Sequence, residues 1–286
     1  MNKKKVSFIV ALFFATLVAS AQTITIAPDQ DVSNLFKKNV TLSLDKSTMK
    51  VSYRFEVLHD TITPDVIKSD NMMVLQIGEK NDKYFDLFRA MMDESLTSEE
   101  NKKKDPNAVL NEAIQIGKGS LTDVIYWNYP KKGELTVTSH MLGDHWLYKE
   151  AIPKIAWQME EGNRTVAGYA CQKATGHLYG RNYTAWYAPE IPISKGPYKF
   201  SGLPGLILQV EDDRQQVSWT CIGLEKQAEE IFFIEREYMK TDKARFLKSF
   251  NNFKRDPLMH YQAAGNISST PGKPQKTFHY NPIEKE

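Results

Sequence analysis

Cysteine is scarce in this sequence: Cys171 and Cys221 are the only two among 286 residues. Neither belongs to a C-x-x-C pair, which excludes a multi-cysteine zinc site and a thioredoxin-like redox motif. Net charge is nearly absent too, at +2 for the whole chain. A balanced surface lacks the cationic face that duplex binding needs, so nucleic acid is not an expected partner. Long apolar runs are missing after the amino terminus, which leaves no later segment able to span a bilayer as a helix. There is no G-x-S-x-G elbow for a serine hydrolase, no protease signature around either cysteine and no internal repeat.

What is present begins with MNKKKVSFIVALFFATLVASAQ. Lys3, Lys4 and Lys5 precede an apolar run from Val6 to Ala19, and Ala19-Ser20-Ala21 supplies the small-x-small pattern of a signal peptidase site. Residues 1–21 are therefore expected to be a cleavable Sec-type signal peptide. Position 22 is Gln, so the cysteine of a lipobox is lacking. Removing three lysines and no acids takes the formal charge from +2 to −1. The remaining chain, 41% hydrophobic and 11% aromatic overall, has enough apolar mass for a core.

Period-two patterning dominates that chain. Met49, Val51, Tyr53, Phe55 and Val57 alternate with Lys50, Ser52, Arg54 and Glu56, the mark of a half-buried strand. Shorter alternations at 23–26, 40–44 and 72–77 accompany it. From 79 to 119 the pattern changes: Tyr84, Phe85, Phe88 and Met92 fall at near-helical spacing, a charged break follows, and Pro106 suits the first turn of a short helix. Strand signals return at 122–129, 134–141, 145–150, 155–160, 165–179, 182–188, 206–211 and 216–224, with Gly162-Asn163 read as a turn. Short connections favour antiparallel neighbours. Thr241 is the expected N-cap of a last helix bearing Phe246, Leu247, Phe250 and Phe253. The predicted fold is mainly β (β-rich α+β): one large curved antiparallel meander sheet with a few short helices, the last packed on it. Residues 22–264 are expected to form a single domain with a helical and loop insertion around 79–119, and 265–286 a flexible tail.

Cys171-Gln172-Lys173-Ala174, Gly180-Arg181, Ala185-Trp186-Tyr187-Ala188-Pro189, Ile191-Pro192, the stretch from Gly196-Pro197 to Phe200, and Gly202-Leu203-Pro204-Gly205-Leu206-Ile207 together resemble the GLPGLI family of exported proteins. The resemblance is strong over roughly 150–225 and loose before it. It implies export in Gram-negative bacteria and a place in the envelope; it implies no activity. The chain is also distantly similar to the bowl-shaped amino-terminal domain attached to some bacterial glycoprotein amidases, which implies sheet shape and glycan proximity. The residues carry a physical reading of their own. Pro189, Pro192 and Pro197 cannot sit inside a central ladder and define a rigid crossing segment at a sheet edge. GLPGLI itself reads as a turn-to-strand corner, since no helix follows it to cradle a phosphate.

Four groups of residues bear on function. Tyr179, Tyr183, Trp186, Tyr187, Tyr198 and Phe200 are either a ligand-stacking aromatic set or core and cross-strand pairs. Cys171 and Cys221 are either a disulfide, as an oxidising compartment favours, or two separate buried thiols. His140, Asp144 and His145 form the one local cluster of metal-ligand types, set against a solvated hairpin end. Paired carboxylates such as Glu160-Glu161 and Asp212-Asp213 point oppositely in a strand and suit turn edges. The leading expectation is a non-enzymatic periplasmic or surface accessory protein, holding an envelope protein or an amphipathic or glycan ligand on a curved sheet, with no cofactor. The rival is a metal-dependent envelope hydrolase built on His140, Asp144, His145 and a distant carboxylate.

Overall fold

The structure, a computed structural model, describes residues 36–62, 68–256 and 279–285. The expected signal segment, the brief strand at 23–26 and most of the expected tail lie outside these residues. Chain order is β1 (Val40–Leu58), β2 (Lys68–Gly78), β3 (Asp82–Asp86), α1 (Leu87–Thr97), α2 (Pro106–Ile116), β4 (Val124–Trp127), β5 (Glu134–Met141) and β6 (Asp144–Ala151). Then follow β7 (Gln158–Val166), β8 (Tyr169–Leu178), β9 (Arg181–Ala188), β10 (Leu206–Asp212), β11 (Val217–Glu225), β12 (Glu230–Glu235), β13 (Met239–Lys240) and α3 (Lys243–Arg255).

All the strands join one open sheet in the order β13-β6-β5-β4-β3-β2-β1-β11-β10-β9-β8-β7, with β12 also on β1. Every pairing is antiparallel except β13 on β6. The meander is thus really two meanders, β2 to β6 and β7 to β11, that meet on the long central β1. Strands β6 and β7 are consecutive in sequence yet lie ten places apart in the sheet. A flat sheet would separate them by about 48 Å at ~4.8 Å per strand. The chain from Ala151 to Gln158 reaches at most about 25 Å. The sheet must therefore curl, and residues 152–157 bridge its two arms.

The alternation of β1 does what the sequence predicts: Val51, Tyr53 and Phe55 are wholly buried on the inner face of the curl. Three hairpins turn on two-residue loops with positive φ at both positions: Leu142-Gly143, Ala167-Gly168 and Tyr179-Gly180. That geometry matches the twist of the flanking strands. The turn expected at Gly162-Asn163 is instead a bulge within β7, where the register slips between Glu160 and Asn163, and the expected strand 165–179 is broken at Ala167-Gly168. Within the 79–119 insertion, Tyr84 and Phe85 belong to β3, which pairs on both sides, while Phe88 and Met92 start α1. Pairing partners, invisible locally, outweigh the helical spacing there. Pro106 does open α2, capped by Asp105.

Helix α3 is capped by Asp242, one residue later than expected, and lays Phe246 on Tyr148 at 5.0 Å between centroids. The proline-rich segment 189–205 does not run along an edge. It crosses the inner face, where Phe200 is fully buried among Tyr183, Trp219 and Trp157, and Lys195 reaches Asp82 on the far arm at 2.6 Å. A smaller apolar cluster of Tyr126, Leu147 and Phe233 lies on the outer face. Residues 279–285, expected to belong to a flexible tail, are packed: Asn281 and Glu284 are 6% and 4% exposed.

Candidate functional site: a polar clamp on the inner face

The six aromatic residues do not make one open stacking surface. Tyr183, Tyr198 and Phe200 converge on Trp219 inside the core, with Tyr198 stacked on the indole at 5.7 Å. Trp186 faces outward and is covered by the Arg164 guanidinium at 4.3 Å. Tyr187 is 3% exposed, bonded to Gln172 at the margin of a shallow polar depression beside β7. Tyr179, like the hydroxyl of Tyr198, meets buried charge, because its hairpin carries it across to Glu150 on the opposite arm. The physical reason is general: in a sheet this curved, inward rings become core.

Cys171 and Cys221 are free and buried, so the bridge is not formed. They sit on β8 and β11 with β9 and β10 between. Burial pushes both thiols up, Cys221 to about 11. His140 and His145 pair directly across the β5–β6 hairpin with rings 4.9 Å apart, but Asp144 alternates to the other face. The position opposite is taken by Arg236, whose guanidinium lies 2.8 Å from His145 and opposes a second cation. Burial first, then Arg236 beside His145 and Arg89 beside His140, lowers the two imidazoles to about 3 and about 4. Among the described residues no group of three His, Cys, Asp or Glu side chains converges on a metal position.

The charged groups that do converge lie elsewhere, around Lys199. This side chain has no exposure and pairs at 2.5 Å with both Glu150 of β6 and Glu284. Lys243, at the start of α3, contacts the same two carboxylates at 2.8 Å. Tyr179 donates to Glu150 at 2.8 Å, Tyr198 donates to Glu284, and Lys199 donates to the Tyr148 hydroxyl at 3.1 Å. The rings of Tyr148, Tyr179 and Tyr198 flank the Lys199 amine at 5.1–5.4 Å, and Lys243 sits 3.3 Å over Tyr179. Burial acts to lower the Lys199 pKa, but Glu284 and Glu150 outweigh it and hold the amine above its usual value. Burial likewise acts to raise Glu150, and Lys199 with Lys243 brings it below the usual carboxylate range. Two amines and two carboxylates balance, which is the condition for keeping charge out of water.

A second buried pair lies alongside. Arg181, the first residue of β9, binds Asp212 at 2.7 Å with both side chains 1% exposed. Nη1 also reaches the Gln216 side-chain oxygen at 3.4 Å, and the other donors go to one segment: Nη2 to the Asn281 side chain at 2.7 Å and the Pro282 carbonyl at 2.6 Å, and Nε to the Ile283 carbonyl at 3.0 Å. Asn281 also joins the His59 and Leu58 carbonyls, and the Lys285 amide donates to Tyr179. Residues 281–285 are thus gripped through both backbone and side chain: a guanidinium holds the carbonyls of Pro282 and Ile283, and a two-lysine cage holds the acid of Glu284.

Sequence reasoning passed over Glu150, Lys199, Lys243, Asp212 in this role and Glu284. One signal was available: Gly180-Arg181 and Tyr198-Lys199-Phe200 stand within the family-like motifs, and a charged residue framed by aromatics deserved weight as a buried ion.

The fold and site define a β-sheet protein with an internal peptide clamp. Comparison with known proteins adds little beyond that. Residues 179–209 match a family described as a protein of unknown function (Porph_ging), a stretch that contains Arg181, Lys199 and the whole GLPGLI hexapeptide. No curated protein matches. Two solved structures of PNGF-II, in the P21 and C2 space groups, are similar with TM-scores of 0.45 and 0.43, each at 12% identity over 73% of this chain. The match covers 34% and 33% of those chains, so this chain spans about a third of their length.

Proposed function

We propose that the chain is an exported, non-enzymatic accessory protein of the Gram-negative envelope, of the GLPGLI type, that holds an extended acid-bearing segment of a partner protein on its inner face. Export rests on the signal-like residues 1–21, and the envelope setting on the motif resemblance. The observation that carries the binding role is the clamp. Arg181 contacts two main-chain carbonyls and Lys199 with Lys243 encloses one carboxylate, the division of labour of peptide recognition, in which backbone contacts give affinity and a side-chain pocket gives specificity. Here the clamp holds residues 279–285, so a partner segment competes with them.

The test is fluorescence anisotropy with a labelled peptide of sequence HYNPIEK, residues 279–285, added to the full chain. Saturable binding is expected, and it should tighten several-fold in a Glu284→Gln protein, whose own segment is held less well. The peptide with Gln in place of its Glu should bind weakly. Equal binding of the two peptides, or none to either protein, refutes the proposal and makes the clamp a purely structural lock.

A further inference from the structure

Lys83, the second residue of β3, lies on the outer face, unrelated to the clamp. The residue is 6% exposed. Its amine lies 3.8 Å from the centre of the Phe232 ring, 5.1 Å from Phe85 and 5.7 Å from Tyr126. Among the described residues those rings are its only partners: no carboxylate pairs with it and no hydrogen bond is made. The charges facing it are committed elsewhere. Asp93 of α1 pairs with Arg89, and Glu229, before β12, binds Lys50 and Gln76. The Tyr126 hydroxyl is held neutral by burial. Buried lysines normally have an acid or a dipole to answer the ammonium; this one has only π faces, which stabilise a cation more weakly than a carboxylate does.

We propose that Lys83 is a covalent capture site for small carbonyl compounds, aldehydes in particular, formed by an unpaired amine walled in by three aromatic rings. The unprotonated nitrogen adds its lone pair to the carbonyl carbon while the C=O π pair moves to oxygen, which takes a proton. The resulting carbinolamine loses water as the nitrogen lone pair forms C=N, and the proton left on nitrogen goes to solvent. Amine and aldehyde give imine and water, with nothing oxidised or reduced. Phe85, Tyr126 and Phe232 supply an apolar wall that limits entry to small electrophiles and shields the imine from hydrolysis.

Burial, opposed by Asp93, brings the Lys83 amine down to about 8. At pH 8 half of it is then unprotonated, against about 0.3% of an ordinary lysine, an advantage of roughly 160-fold. Lower basicity also lowers nucleophilicity, taking back about 13-fold if the Brønsted slope is near 0.45. About tenfold remains.

The experiment treats the full chain briefly with ¹³C-formaldehyde and a mild borane reductant at pH 8, and reads methylation of each lysine by peptide mass spectrometry. Lys83 should react about tenfold faster than the median lysine, and Lys83→Arg should remove the fast site. Phe232→Ala opens the wall, so it exposes the amine but restores its basicity; the rate at Lys83 should fall toward the median. A Lys83 rate at or below the median in the unmodified chain overturns the proposal. So does a rise in Phe232→Ala, because access alone would then govern the reaction.

Discussion

Replacing Lys199 with Met removes one charge from a buried group of four while nearly keeping volume. Glu150 and Glu284 are left with Lys243 alone. One carboxylate must then be neutralised by a proton. Holding it protonated at pH 7, against an ordinary carboxylate pKa near 4.3, costs about 3.7 kcal/mol at roughly 1.36 kcal/mol per pH unit. That agrees with the ~3–5 kcal/mol typical when one member of a buried pair is removed. In the variant the carboxylate's folded pKa is raised, so its deficit vanishes below the unfolded value and grows as pH rises towards the folded one. The deficit relative to the unmodified chain should therefore shrink to about 1 kcal/mol at pH 5. Urea unfolding of both proteins at pH 7 and pH 5 measures it, with equal m-values required. Adding Glu284→Gln to Lys199→Met removes the surplus negative charge, so the double variant should recover stability at pH 7 and lose the extra pH dependence. A loss below about 1 kcal/mol for Lys199→Met, or one that does not change with pH, refutes the claim that these groups form a desolvated ionic unit.

Acid should weaken the fold through its histidines. His59, His140 and His145 are lowered to about 4, 4 and 3, chiefly by burial, so their contribution is complete above ~6.5 and is lost as pH falls toward those values. His145→Gln should flatten the fall in stability between pH 6.5 and 5 by up to about 1.4 kcal/mol per unit, less for the side chain's partial exposure; parallel curves for the two proteins count against it. At the GLPGLI corner, a Cβ on Gly205 would sit 2.3 Å from the Ala188 carbonyl oxygen, whereas one on Gly133 (φ +84°) meets only open space. Gly205→Ala should cost about 1–3 kcal/mol or more, as overpacking does, and Gly133→Ala only its ~1 kcal/mol of backbone strain. Equal thermal shifts would mean that the corner is not tightly packed.

Much of the fold was legible because period-two patterning is local. The alternation over 49–57 lies within β1, and the readings at 134–141, 182–188 and 206–211 match β5, β9 and most of β10. Pairing was legible only where hairpins are tight. Nothing in the residues around 151–158 says that β7 leaves β6 and starts a second arm, because that follows from β11 finding β1 some 160 residues earlier in the chain. The aromatic residues were legible as a group, but their exposure depends on curvature, which is a property of the whole sheet. The site was least legible of all. Glu150, Lys199, Lys243 and Glu284 come from a strand, a crossing segment, a helix and the final described segment. No spacing rule connects four residues delivered by four elements.

Those four elements depend on one another in a definite order. The short reach from β6 to β7 forces the sheet to curl, and the curl brings Tyr179, at a hairpin tip of one arm, within 2.8 Å of Glu150 on the other. Gly205 allows the corner to press against Ala188, which starts β10 on time and leaves residues 189–205 to cross the inside. That crossing carries Tyr198-Lys199-Phe200 into the curl, where Phe200 anchors on Trp219 at 5.4 Å and Lys199 is left facing the gap. An amine placed there makes, with Glu150 and Lys243, a group of two cations and one anion. The second carboxylate, Glu284, comes from the segment that lies along Arg181. Curvature thus creates the demand for an acid-bearing peptide, and the motif residues supply the geometry that holds it.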